Sequence, residues 1–117
     1  MYQGKKSWAI AVLPDSGQGE AWRPAVDVFR TPDGWLLRFD LAGVRAGDVA
    51  VTCEGRRVTV SGLRRDQFVE QGWTYYAMEI AWSRFERTVE LPCSLERARL
   101  DMQLHDGILL VRVVTSE

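Results

Sequence analysis

The chain is expected to fold as an antiparallel β-sandwich, and three features of its sequence predict this. Short runs in which apolar and polar side chains alternate recur along it, the mark of strands with one buried and one wet face. Turn-forming residues separate these runs at short, regular intervals. Nowhere do apolar residues repeat with the spacing of an amphipathic helix, so sheets must bury the apolar faces against one another. At 117 residues the chain is one domain's worth, enough to bury a working core without disulfides.

Residues 1–21 read as a short arm. Its apolar centre is Trp8-Ala9-Ile10-Ala11-Val12-Leu13, and Pro14-Asp15-Ser16-Gly17-Gln18-Gly19 reads as flexible turn material. The arm is expected to be either an unstructured tail or a strand patched onto the domain. Lys5-Lys6 ahead of the apolar run mimic a secretion signal, but the run is too short and Ala9-Ile10-Ala11 lies inside it rather than after it. The domain itself is expected over 22–114, with 115–117 as a tail. Trp22 to Phe29 opens it, and Thr31-Pro32-Asp33-Gly34 is a turn. The strand that follows puts Trp35, Leu37, Phe39 and Leu41 on one face. The next runs from Val49 to Glu54, with Cys53 continuing the parity of Val49 and Val51 as a small core residue. Gly55 turns the chain into the strand at 57–63, with Val58 and Val60 inward. Arg56-Arg57 and Arg64-Arg65 are read as solvated ends of that strand.

From 64 to 81 no tight turn is visible, and a connection that long in a compact domain carries function or structure of its own. Gln67-Phe68-Val69 and Trp73-Thr74-Tyr75-Tyr76-Ala77-Met78, with Gly72 between them, are rich in β-forming residues. An isolated hairpin of this kind is marginal and should pack on something else. In the run 82–92, Phe85, Val89 and Leu91 share one parity, while Arg84, Glu86, Thr88 and Glu90 share the other. Arg87 falls on the apolar side. It is expected either to snorkel along its stem to water or to form an ion pair at a protein interface, because an unpaired buried charge is too costly to keep. Residues 93–97 form a loop or a single helical turn, and Leu100, Met102 and Leu104 then alternate with Arg99, Asp101 and Gln103. Asp106-Gly107 marks a hairpin turn. The last strand, 108–114, is nearly all apolar and is expected to be buried on both faces.

Composition excludes more than it assigns. Fifteen basic and sixteen acidic residues give a net charge of −1, without the concentrated positive surface that nucleic acid requires. Cys53 and Cys93 stand far apart with no C-x-x-C, which argues against a disulfide scaffold, and no apolar stretch approaches the ~20 residues that span a bilayer. A soluble cytoplasmic protein is expected, with neither nucleic acid nor membrane as partner. The lone His105 beside Asp106 reads as a solvated turn residue rather than half of a catalytic pair. One histidine and two distant cysteines offer no zinc spacing, and no phosphate-binding glycine motif exists. Neither an enzyme nor a cofactor is expected.

F-E-R-T-V-E-L-P at 85–92, followed by D-G-I-L-L-V at 106–111, resembles the small heat-shock proteins, the α-crystallin-domain family. There an aromatic-x-Arg strand leads to Leu-Pro, and an (Asn/Asp)-Gly-Val-Leu hairpin follows. Pro24 to Val28 is similar to the family's opening Pro-x-Val-Asp-Ile. Ala42-Gly43-Val44 with Gly47-Asp48-Val49 is similar to its Pro-Gly-Val-x-x-x-Asp-Ile, Ala42 replacing the proline. V-T-V-S-G at 58–62 resembles Leu-x-Ile-x-Gly, and W-T-Y-Y-A-M-E at 73–79 resembles the Tyr-Tyr-x-x-Glu segment of the bacterial and plant branch. The likeness extends from Trp22 to Val114.

The resemblance implies an immunoglobulin-like β-sandwich, the α-crystallin domain, whose long loop carries a strand exchanged with a partner subunit. It implies an ATP-independent holdase that binds partly unfolded clients and suppresses their aggregation. It places a homodimer interface at Arg87, Phe68, Trp73, Tyr75, Tyr76 and Glu79, with Glu79 or Glu70 as a partner for Arg87, and a client groove at Val51, Cys53, Met102 and Leu104. The chain departs from the family where it stops at Val113-Val114-Thr115-Ser116-Glu117 without an Ile-x-Ile tail, where Glu79-Ile80 replaces Glu-Arg, where Ser83 replaces a glycine, and where Met102 replaces an alanine. With a short arm and no such tail, dimers, small oligomers or hetero-oligomers are expected rather than a large shell. The alternative is a β-sandwich adaptor of the CS type binding one folded partner. Such domains lack an exchanged strand, so the 64–81 segment favours the heat-shock reading.

Overall fold

The computed structural model describes residues 5–7 and 21–115. The arm residues Trp8 to Leu13, the turn-forming run at 14–19, and Ser116-Glu117 lie outside the described residues. Two four-stranded antiparallel sheets face each other. One is ordered β1 (Lys5–Ser7), β4 (Val49–Glu54), β5 (Arg57–Leu63), β6 (Arg84–Glu90). The other is ordered β2 (Val26–Thr31), β3 (Gly34–Asp40), β8 (Ile108–Val114), β7 (Arg99–His105). The described residues contain no α-helix, only a short 3-10 turn at Ala46–Asp48. This is an immunoglobulin-like β-sandwich.

The alternation sets which side chains meet. Leu37, Phe39, Leu41, Val51, Cys53, Val58, Val60, Phe85, Val111 and Val113 fill the space between the sheets, each at most 1% exposed. β8 is not buried on both faces. Leu109, Val111 and Val113 point inward, Ile108, Leu110 and Val114 are half-buried, and Arg112 is exposed. As the strand between β3 and β7, it needs apolar residues toward the core, and its other face is only partly screened by neighbouring side chains.

Two local geometries fix the register. Asp106 and Gly107 both take positive φ, 51° and 81°, which gives the two-residue turn whose twist suits a hairpin. Gly62 sits where β5 crosses beside the 3-10 turn. A Cβ there would stand 2.1 Å from the Asp48 carbonyl oxygen and 2.5 Å from the Phe85 ring. Residues 93–97 form a loop that ends in a single hydrogen-bonded turn at Glu96-Arg97, where the Ala98 amide donates to the Leu95 carbonyl at 3.2 Å. Leu95 seals it, fully buried, with its amide donating to the Gly55 carbonyl at 2.9 Å.

The sheet edges are treated unequally. Lys5–Ser7 lie along the edge of β4, Lys6 opposite Cys53 and Ser7 opposite Thr52, so this part of the arm is a strand patched onto the domain. Trp22 covers part of the β6 edge through a parallel bridge to Phe85: its amide donates to the Arg84 carbonyl and its carbonyl accepts from Glu86. β2 ends its sheet, with no strand beyond it among the described residues. Val28 and Phe29 on β2 are exposed, 43% and 42%.

Candidate functional site

Segment 64–83 leaves the sandwich after β5 and returns to β6. It contains no strand. Among the described residues the β-rich runs at 67–69 and 73–78 pair with no strand edge. A turn at Gln71-Gly72 separates them, with Gly72 at φ 93° and the Trp73 amide bonded to the Glu70 carbonyl. Phe68, Trp73, Tyr75 and Tyr76 are 60–102% exposed, as are Val69, Met78 and Ile80 to a lesser degree. Of these all but Ile80, together with Trp82, shape an open hollow of about 370 Å³. Glu70 and Glu79 are exposed on the same segment.

The base of this loop is held by residues that the sequence reading placed in solvent. Arg64 is 9% exposed rather than solvated. Its guanidinium carbon lies 3.8 Å above the Trp22 ring and 5.3 Å from that of Trp82. Its Nε donates to the Ala81 carbonyl at 2.8 Å and its Nη1 to the Ala42 carbonyl at 3.1 Å. Burial pushes its pKa below the ordinary arginine value, partly offset by the charge of Asp40. Arg65 donates through Nε and Nη2 to both oxygens of the nearly buried Asp48, at 3.0 and 3.1 Å. That hydrogen-bonding, then the carboxylate's charge, raises the Arg65 pKa. Arg45 also donates to the Gln67 side chain. A pair of arginines after a strand looks like a polar end; the signal missed was their company, Trp22, Trp82 and Asp48, which only the fold assembles.

Arg87 stands opposite Val60 on the inner face at the sheet edge. It is half-buried, and its Nη1 donates to the Pro24 carbonyl at 2.9 Å. Its Nε is buried without a hydrogen-bond partner, and among the described residues no carboxylate pairs with it. A buried guanidinium nitrogen with nothing to donate to is the costly state that folding normally avoids.

At the opposite margin the two sheets part. Val51, Met102 and Leu104 come together with Ala46, Val49 and Leu109 around a cleft of about 170 Å³, open to solvent. Cys53 does not line it: its side chain is fully buried in the core, one step further along β4.

His105 and Asp106 meet, Nε2 to Oδ2 at 3.1 Å, on the solvated turn where the sequence places them. Both are exposed, 71% and 86%. No three His, Cys, Asp or Glu side chains cluster among the described residues as a metal site would require, and no helix among them is long and apolar enough to cross a membrane.

A sandwich with a long aromatic loop on one side and an apolar cleft between β4 and β7 on the other defines a class. Residues 27–117 match the Hsp20/alpha crystallin family, and the chain belongs to it. It is 34% identical over 89 residues to spore protein SP21 of Stigmatella aurantiaca, covering 76% of this chain and 53% of that protein. To a 17.7 kDa class II heat shock protein of Arabidopsis thaliana it is 29% identical, covering 74% of this chain and 57% of the relative. The chain thus spans about half the length of the curated relatives it matches. In fold it is similar to heat shock protein 16.0 from Schizosaccharomyces pombe, with a TM-score of 0.72 and 24% identity over 81% of this chain and 88% of that one. It is also similar to hspA from Xanthomonas axonopodis, with a TM-score of 0.68 and 20% identity over 82% and 96% of the two chains.

Proposed function

We propose that this chain is an ATP-independent holdase chaperone, which captures apolar surface on partly unfolded proteins and works as a homodimer that exchanges segment 64–83. The observation that carries this reading is the apolar cleft at the open margin between β4 and β7, held by a rigid sandwich and unaccompanied by any catalytic arrangement among the described residues. A cleft of about 170 Å³ admits one or two aliphatic side chains. Each contributes about 1.5–3 kcal/mol on burial, well short of the ~8 kcal/mol of a micromolar complex. One cleft therefore holds a client loosely and without sequence preference. Two clefts on a dimer, engaging one unfolded chain, raise the hold through effective concentration.

Support for the exchange comes from where exposed apolar surface lies. All nine large exposed hydrophobic residues among those described fall on segment 64–83 or on β2. An unpaired β-forming segment and an unpaired strand edge in one molecule are complementary in a second copy, and pairing them removes both liabilities. The decisive experiment follows light scattering from citrate synthase during heating, titrated with this protein in the absence of nucleotide. Suppression near equimolar subunits is the expected result. Its absence from a folded, dimeric protein would overturn the holdase reading in favour of an adaptor that binds one folded partner.

A further inference from the structure

We propose that Arg64 is the positioning residue of the exchanged loop: it fastens both ends of segment 65–82 to the sandwich and so fixes how Phe68, Trp73, Tyr75 and Tyr76 are presented to a second subunit. The inference rests on the dimer reading for its consequence, though not for its geometry.

A loop that buries little of its own apolar surface and forms no strand cannot hold its direction by internal packing. Its path is set at its base. The Arg64 amide donates to the Ser83 carbonyl at 2.9 Å, so the main chain closes the loop at that level. Two residues further out, the Arg64 side chain repeats the closure by donating to the Ala81 carbonyl. The same guanidinium donates to Ala42, past the end of β3, and stacks on Trp22, ahead of β2. Trp22 in turn packs edge-on against Phe85 of β6, with ring centroids 5.7 Å apart. One side chain therefore joins the loop's departure, its return, the turn after β3 and the strand that receives it.

Only arginine chemistry does this. A planar guanidinium can lie against an indole with its face while its edge donates in two directions, and it is weakly hydrated enough to accept burial. A lysine keeps the charge, but a single ammonium on a flexible stem cannot serve two diverging carbonyls and an aromatic face together. Among the described residues no carboxylate forms an ion pair with Arg64; the charge of Asp40 acts on it from a distance, and carbonyl dipoles and ring faces meet the guanidinium directly. The group is thus spent on geometry and not on an ion pair.

The test uses the 117-residue chain carrying Arg64→Lys, with Arg56→Lys as a charge-conserving control on an exposed arginine. Sedimentation equilibrium reads the dimer dissociation constant, a thermal melt reads the fold, and hydrogen exchange reads the Arg64 and Trp82 neighbourhood against Val60 in mid-sheet. Losing two charge-assisted hydrogen bonds and the stacking at the base should raise the dissociation constant about tenfold or more and speed exchange around the loop base, with Val60 unchanged. The control should leave all three readings in place. A merely structural role would lower the melting temperature and leave dimerisation of the folded protein unmoved. A dissociation constant within about twofold of the parent, or unchanged exchange at the base, overturns the proposal. If the parent chain is itself a monomer, the dimer reading fails, and the exchange measurement alone still decides whether Arg64 fixes the loop.

Discussion

Replacing Arg87 with methionine separates the two roles open to a cation on the inner face of a strand. Methionine keeps the unbranched stem and its packing near Val60, and it removes only the guanidinium. Inside one subunit the consequences nearly cancel. Losing the Nη1 bond to the Pro24 carbonyl costs about 1.5–3 kcal/mol, as for a hydrogen bond to a charged group, while removing the unpartnered buried Nε returns about 1–3 kcal/mol. The stability of a single sandwich should therefore move by no more than about 2 kcal/mol in either direction.

Across a dimer the balance is different. If Glu79 or Glu70 of a second subunit reaches the open Nε, removing Arg87 strands a carboxylate, at about 3–5 kcal/mol for breaking a buried pair. At 1.4 kcal/mol per decade this weakens dimerisation by about a hundredfold to several thousandfold. Sedimentation equilibrium over a wide concentration range measures it. Arg87→Met combined with Glu79→Gln, and separately with Glu70→Gln, completes the cycles, and a coupling of about 2 kcal/mol or more with one of them identifies the partner. A dissociation constant within about threefold of the parent, with no coupling to either glutamate, would refute the reasoning and leave Arg87 as a capping group for Pro24.

Three further substitutions probe other parts of the structure. Gly62→Ala drives a Cβ into the Asp48 carbonyl and the Phe85 ring; it should cost about 3 kcal/mol or more, at the upper end of overpacking, read as a lowered urea midpoint. Ser7→Cys with Thr52→Cys should form a disulfide within one chain on mild oxidation, because the two positions face each other across β1 and β4, whereas Lys6→Cys with Thr52→Cys should not; a cross-link between two chains instead would show that the arm seats on a neighbour. Met102→Glu places a charge at the cleft; suppression of client aggregation should fall severalfold while the melting temperature shifts by only a few degrees, since Met102 is a half-buried residue on an edge strand.

What could be read in advance follows from which physical signals are local. Strand parity is local, so Leu37, Phe39, Val58, Val60 and Phe85 were legible as core from spacing alone, and the two structures around Asp106-Gly107 follow from turn chemistry. The cleft was partly legible. Val51, Met102 and Leu104 do converge, but Cys53 shares their parity and still points into the core, because parity fixes a face and not a distance from the sheet margin. Arg64 was illegible for the opposite reason. Nothing near it in sequence distinguishes it from Arg56, and its burial depends on Trp22 and Trp82, brought together by tertiary closure. The apolar wealth of 108–114 misled because composition does not reveal that one face of a central strand is only half covered.

The treatment of the four sheet edges supplies the argument for where a second subunit belongs. An unpaired edge is a row of open donors and acceptors, and a protein that persists in solution covers it, shortens it or charges it. The outer edge of β4 carries Lys5–Ser7. That of β6 is bridged by Trp22 and carries Arg84, Glu86 and Glu90 in its sequence. β7 alternates its inward residues with Arg99, Asp101 and Gln103. Among the described residues β2 has neither cover nor a fully polar face: Val28 and Phe29 stand exposed on it, and Arg38 of β3 pairs with Asp27 at 2.6 Å while lying over the Phe29 ring. Exposed ion pairs of that kind contribute about 1 kcal/mol or less and yield readily. An edge held shut so weakly, in the same molecule as an unpaired aromatic segment fastened firmly at its base, is an arrangement that makes sense when the segment's counterpart is another copy's β2. On that reasoning, charging the edge with Val28→Lys should block dimerisation as effectively as any change in the loop, and it should do so without touching Arg87 or Arg64. A dimer that survives Val28→Lys intact would place the interface elsewhere.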